Sequence, residues 1–220
     1  MIGWPLGILL VLTIISWIVP LDLWVSQQVY AGEQQWPIGQ EQPWKWFHAY
    51  GPLPGIVLAV GALIGFIVAL FKVSWRQARR PLAMVAIAAF VGPALVVNFI
   101  FKDYYGRPRP SQIVEFDGGE RSYLYVWVPG KEKGGSFPSG HASIGFYLMM
   151  PYFALLAWRR KWAYAALAVG VIYGLLMGVA RILQGGHFVT DVVWAGGMVY
   201  FVGYGLYYAF GLHRQQSLSS

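Results

Sequence analysis

Six stretches of this chain are apolar over roughly the twenty residues that a helix needs to cross the hydrocarbon core of a bilayer. They run over about 3–23, 52–71, 82–101, 140–158, 162–180 and 188–211. Few folds accept so many. In lipid every backbone N–H and C=O must be satisfied within the protein, so such segments become helices. The expectation is an all-α, polytopic membrane protein of six transmembrane helices, forming one integral-membrane domain over residues 1–220. Composition agrees. Only 11% of residues are charged, against about 25% in soluble domains. Eleven Trp, 14 Tyr and 13 Phe suit aromatic belts at the two membrane interfaces. The first segment is long and lacks a basic leader, so it reads as a retained span rather than a signal peptide. Pro93 and Pro151 lie inside apolar runs and mark expected kinks.

Orientation follows from the short loops. Lys72, Arg76, Arg79 and Arg80 lie between spans two and three, and Arg159, Arg160 and Lys161 between spans four and five. Neither loop holds an acidic residue, which marks that side as cytoplasmic. Both termini then face the cytoplasm. The net charge of +7 follows from such loops, and no basic stripe of the nucleic-acid-binding kind is present. No cysteine occurs, so neither a disulfide framework nor a thiolate metal site can form.

Three polar segments interrupt the apolar pattern on the opposite side. "KDYYGRPRP" carries Lys102 and Arg109 at the end of span three. "FPSGHAS" carries Ser139, Gly140 and His141 at the start of span four. "RILQGGHFVTD" joins spans five and six with Arg181, His187 and Asp191. Hairpin topology brings all three to one membrane face. Alone, each residue has a plain structural reading. Lys102 can snorkel at a helix end, Ser139 can simply cap a helix, Asp191 can answer a helix dipole, and a lone histidine can pack. Together they place three cations, two histidines and a carboxylate at a depth where charge costs about 2.5–3.5 kcal/mol per residue near a span centre. A phosphate dianion would balance the excess of Lys102, Arg109 and Arg181 over the nearby Asp103 and Asp191.

The local backbone favours the same ligand. A helix starting after Ser139 turns free N–H groups toward an anion. Gly185 and Gly186 permit close approach of a ligand. His187 and Asp191 are spaced i, i+4, so a carboxylate can set the imidazole tautomer from the same helix face.

The three segments, in this order and spacing, resemble the signature motifs of the type 2 phosphatidic acid phosphatase superfamily, which also includes vanadium haloperoxidases and glucose-6-phosphatase. The resemblance covers about residues 102–191. One position departs: the third motif commonly begins Ser-Arg, and here Ala180 precedes Arg181. The resemblance implies that His187 attacks phosphorus to form a phosphohistidine and that Asp191 orients it. It implies that His141 protonates the leaving oxygen and later activates water. Lys102, Arg109, Arg181, Ser139 and the Gly140 amide would hold the phosphoryl oxygens, with no metal and no cofactor. Its membrane branch implies a lipid phosphate or diphosphate substrate: phosphatidate, phosphatidylglycerophosphate, undecaprenyl diphosphate or a lipid A phosphate. The site would face the periplasm from a bacterial inner membrane. No nucleic acid and no obligatory protein partner is expected. Lipid-to-lipid phosphotransfer is the second enzymatic reading. A scaffold or transporter would explain the composition but not the motifs. Arg107, Asp103 and Tyr105 read equally as positioning or structural residues and as contacts to substrate, His48 as interfacial packing, and the Glu115–Trp127 loop as either a headgroup contact or a solvated loop.

Overall fold

In the computed structural model, residues 1–132 and 135–216 are described, with backbone only for Asp103, Gln215 and Gln216. Lys133, Gly134 and the last four residues of the 1–220 domain lie outside them. Among the described residues the fold is all-helical, with no strand and one isolated bridge between Ile113 and Arg121. The principal helices are α1 (Gly3–Ile18), α2 (Leu21–Gln27), α3 (Trp44–Tyr50), α4 (Leu53–Phe71), α5 (Arg79–Ala89, running on into a π-helix over Phe90–Lys102), α6 (Gly140–Tyr147), α7 (Met150–Leu155), α8 (Arg160–Leu183) and α9 (Val189–Ala209).

Four continuous helical segments are long and apolar enough to cross a membrane: Trp44–Phe71, Val73–Lys102, Arg160–Leu183 and Val189–Ala209. A fifth is counted if the bent pair α1–α2 is one span. The sequence count of six therefore exceeds what helix length and composition support. Prolines explain the two differences. The expected 3–23 span turns by 75° between α1 and α2, because Pro20 drives Val19 into the extended region and ends α1 there. The expected 140–158 span breaks between α6 and α7, where Pro151 stands in the first turn of α7 and has no N–H to continue the ladder. Pro93 behaves differently. It lies within the π-helical end of α5, where the wider i→i+5 winding carries the helix past it.

The broken α6–α7 segment is the centre of the bundle. Phe146, Tyr147, Met149, Met150 and Phe153 are buried, with α8 and α9 packed around them. Lipid tails are as apolar as leucine, so close packing rather than the hydrophobic effect must hold such helices together. A glycine stripe on α8 does this. A side chain at Gly170, Gly174 or Gly178 would collide with Met149, Phe146 or Val192, respectively. The outward faces stay apolar and exposed, as at Val57, Ile64, Ile172 and Leu175. That pattern matches a lipid surround and makes this an integral membrane protein.

Candidate active site

Backbone hydrogen bonds tie the three motif segments into one unit. Ser111 N–H donates to the Gly185 carbonyl at 3.0 Å, joining the first segment to the third. Ser136 N–H donates to the Arg107 carbonyl at 3.2 Å, joining the second to the first. Ser139 N–H donates to the Asp191 carbonyl at 3.1 Å, joining the second to the third. The convergence expected from hairpin topology is thus made by direct contacts.

Each side chain is placed by a local device. Lys102 ends the π-helix, and the left-handed turn at Gly106 (φ +74°) sends the chain away from the helix axis. Ser139 is the N-cap of α6, its hydroxyl accepting from Ala142 N–H at 3.4 Å. A side chain at Gly140 would stand 3.3 Å from the Lys102 ammonium and 2.5 Å from Asn98 Oδ1. Its absence lets the ammonium sit beside the helix N-terminus, where positive potential favours an anion. The helix α8 closes with Gly185 in the left-handed region (φ +63°). Gly185 N–H reaches the Ile182 carbonyl and Gly186 N–H reaches the Arg181 carbonyl, both at 2.9 Å. This is a Schellman motif, and it delivers His187 back toward the end of the helix that carries Arg181.

The cations converge. Gly186 lies directly against the Arg181 guanidinium, and Gly135 would place a side chain 3.1 Å from Arg109 Nη2. Arg181 is only 7% exposed. It donates to Gln184 Oε1, and its buried Nε has no hydrogen-bond partner among the described residues. A buried donor left unmatched costs about 1–3 kcal/mol, and a phosphoryl oxygen is the acceptor it suits. The fixed cations whose charge bears on His141 are Arg181 and Lys102.

His187 is fully buried, and its geometry departs from expectation in one respect. It precedes α9 instead of riding on its first turn, and the Asp191 carboxylate is 3.8 Å from Nδ1, beyond hydrogen-bond distance. Nδ1 instead lies 2.6 Å from the Ser136 carbonyl oxygen. A carbonyl cannot donate, so Nδ1 carries the proton and Nε2 keeps its lone pair. Burial holds the His187 pKa below the ordinary imidazole value. The neighbouring Asp191 opposes that shift, and Arg181 and Lys102 reinforce it. The imidazole is therefore held neutral, as a nucleophile requires.

Asp191 acts one step further back. It accepts from Phe188 N–H at 2.8 Å, capping its own helix, and from the Ser136 hydroxyl. It also pairs with Arg107. Asp191 thus fixes the segment that supplies the carbonyl to His187. Arg107, left among the weaker candidates by sequence, is fully buried between Asp191 and Asp22, the latter at 2.7 Å. Its Nε donates to the Leu124 carbonyl at 2.9 Å, and its guanidinium lies 4.5 Å from the Phe188 ring centroid. Burial works against the charge, but Asp191 and Asp22 outweigh it and keep Arg107 cationic. Tyr105 lines this region in an aromatic contact with Phe137 at 4.7 Å. His48 is not simply packed at the interface. Its ring lies 5.0 Å from that of His141.

The PAP2 superfamily model matches residues 77–215, which include every motif residue. The chain belongs to the PAP2 superfamily. It is 37% identical over 158 residues to the lipid A 4'-phosphatase of Francisella tularensis subsp. novicida (strain U112), covering 70% of this chain and 68% of that protein. It is 32% identical over 114 residues to the lipid A 4'-phosphatase of Rhizobium leguminosarum, covering 50% of this chain and 48% of that one. No solved structure matches the chain. Membership in this phosphatase superfamily, with such relatives, makes the protein a phosphoric ester hydrolase of the membrane lipid phosphatase branch.

Proposed function

We propose that this protein removes a phosphate from lipid A or a closely related glycolipid, through a phosphohistidine on His187. The observation that carries the mechanism is the His187 Nδ1–H bond to the Ser136 carbonyl, which keeps the lone pair on Nε2. The Nε2 lone pair attacks phosphorus, and the bond from phosphorus to the leaving oxygen breaks as His141 supplies a proton. Neutral His141 then takes a proton from water, whose oxygen attacks phosphorus. The P–N bond breaks and inorganic phosphate leaves. Splitting hydrolysis in two through a nucleophile is ordinary covalent catalysis. Lys102, Arg109, Arg181, the Gly140 amide and Ser139 meet the charge that develops on the equatorial oxygens. With that charge supplied by side chains, no metal is required.

The substrate class rests on the two lipid A 4'-phosphatase relatives and on a site at the end of lipid-facing helices. The proposed topology is one domain over 1–220 that crosses a bacterial inner membrane six times. The bent α1–α2 pair and the broken α6–α7 pair each make one crossing. The basic loops at 72–80 and 159–161 then lie inside and the site faces the periplasm.

Purified protein in detergent tests this with a panel of lipid A, phosphatidate, phosphatidylglycerophosphate and undecaprenyl diphosphate. Release of free phosphate with lipid A preferred is the expected result. Release from the other lipids alone would refute the substrate assignment. Transfer of the label to an acceptor lipid, without free phosphate, would make the protein a phosphotransferase.

A further inference from the structure

Three histidines stand in sequence from the interior outward. His187 is buried, His141 is half-buried and His48 is exposed. In an in-line displacement the nucleophile and the leaving oxygen lie on opposite sides of phosphorus. His187 occupies the inner side, and His141 serves the leaving oxygen. A group that meets His141 from the outer side therefore stands where the leaving group must be. His48 does so, with ring centroids 5.0 Å apart, and Arg181 and Arg109 are the charges that bear on it.

His48 is held there by a built contact. Its helix, α3, is docked on the outer end of α8. Gln184 donates to the Gly39 carbonyl at 3.0 Å while accepting from Arg181. Tyr173 donates to the Gly51 carbonyl at 3.0 Å, and Phe47 packs on the Tyr173 ring at 6.0 Å. Gln184 thus joins Arg181 to the stretch that leads into α3. Trp46 and Tyr50 of the same short helix are 48% and 52% exposed, and α3 leads directly into the lipid-facing helix α4. A lipid whose phosphate reaches Arg181 would bring its alcohol portion past α3.

We propose that His48 contacts the leaving-group alcohol of the lipid substrate and is a specificity-determining residue outside the three motifs. The inference rests on the hydrolytic reading above, with His141 at the leaving oxygen. An imidazole can donate to or accept from a hydroxyl, so it suits the hydroxyl-bearing sugar of a glycolipid phosphate. A bare aryl phosphate offers it no such partner.

The test compares wild type, His48→Ala and His48→Gln on lipid A and on p-nitrophenyl phosphate, whose aryl oxide leaves without needing a proton. The expected result is a loss of at least about tenfold in kcat/KM on lipid A, the scale of one lost polar substrate contact. The aryl phosphate rate should change less than about threefold, and Gln should recover part of the lipid A rate. Equal losses on both substrates, or no loss on lipid A, would overturn the role of His48 while leaving hydrolysis standing. A wild-type protein that releases phosphate from neither substrate would remove the hydrolytic reading itself, and the inference with it.

Discussion

Arg107 and Asp191 form a fully buried ion pair, and through its second fork Arg107 also holds Asp22 of α2. The bent N-terminal element is thereby joined to the residue behind His187. Thr190 completes the joint, with its N–H and hydroxyl both donating to Asp22 at 3.0 and 2.6 Å.

Removing one partner of such a pair strands the other charge. Arg107→Ala should cost about 3–5 kcal/mol of stability, read as a lower melting temperature in detergent. It should also lower kcat on the order of a hundredfold, because a shift of about 1 Å at the reacting groups has that effect. Arg107→Lys should recover little, since an ammonium cannot reproduce the two-sided fork. Full activity in Arg107→Ala would show that Asp191 needs no such anchor.

His187 gives the pH dependence a definite sign. Burial sets its folded pKa below the unfolded value of about 6.5. The unfolded chain therefore binds more protons than the folded one between those two values, and stability falls as pH drops through that window. The protein should melt progressively lower below about pH 6.5, and His187→Gln should flatten that slope. The acid limb of kcat/KM should likewise lie below pH 6.5, where His187 begins to gain its proton. An acid limb above pH 7 would contradict a buried, neutral imidazole.

Much of this site was legible in the sequence. Lys102, His141 and His187 stand at the ends of apolar runs where charge is costly, and that cost is visible without coordinates. The Arg107–Asp22 pair was not, because its members are 85 positions apart and each alone suits a loop or a helix start. The Ser136 carbonyl was invisible for another reason: every residue has one, and only the fold selects which faces His187. The contact of His48 with His141 was not legible either, because His141 lies on a helix that reaches it only after α3 docks on α8. Pro93 and Pro151 were both expected to kink their helices, and the outcomes differ. Pro151 divides a span, while Pro93 is absorbed by a change of helical winding.

Charge supplied by Lys102, Arg109 and Arg181 makes a chelator test informative. Among the described residues no group of three His, Asp or Glu side chains is placed to hold a metal. Phosphate release should persist in excess EDTA, and vanadate should inhibit by matching five-coordinate phosphorus. Activity lost in EDTA and restored by magnesium would contradict the proposed division of labour.

The proposed topology is open to cysteine labelling, because the chain has no cysteine of its own. In intact cells a membrane-impermeant thiol reagent should label Ser122→Cys. It should miss Ser74→Cys until the membrane is broken. Labelling of Ser74→Cys alone would invert the orientation, and labelling of both would refute six crossings.

The central claim is that phosphate passes through His187. Wild-type protein mixed with lipid A carrying a radiolabelled 4'-phosphate and quenched in alkali should retain label in a phosphoramidate that acid removes, mapped to the peptide containing His187. His187→Ala should retain no label and release no phosphate. Normal phosphate release by His187→Ala, or label mapped to another residue, would contradict the account.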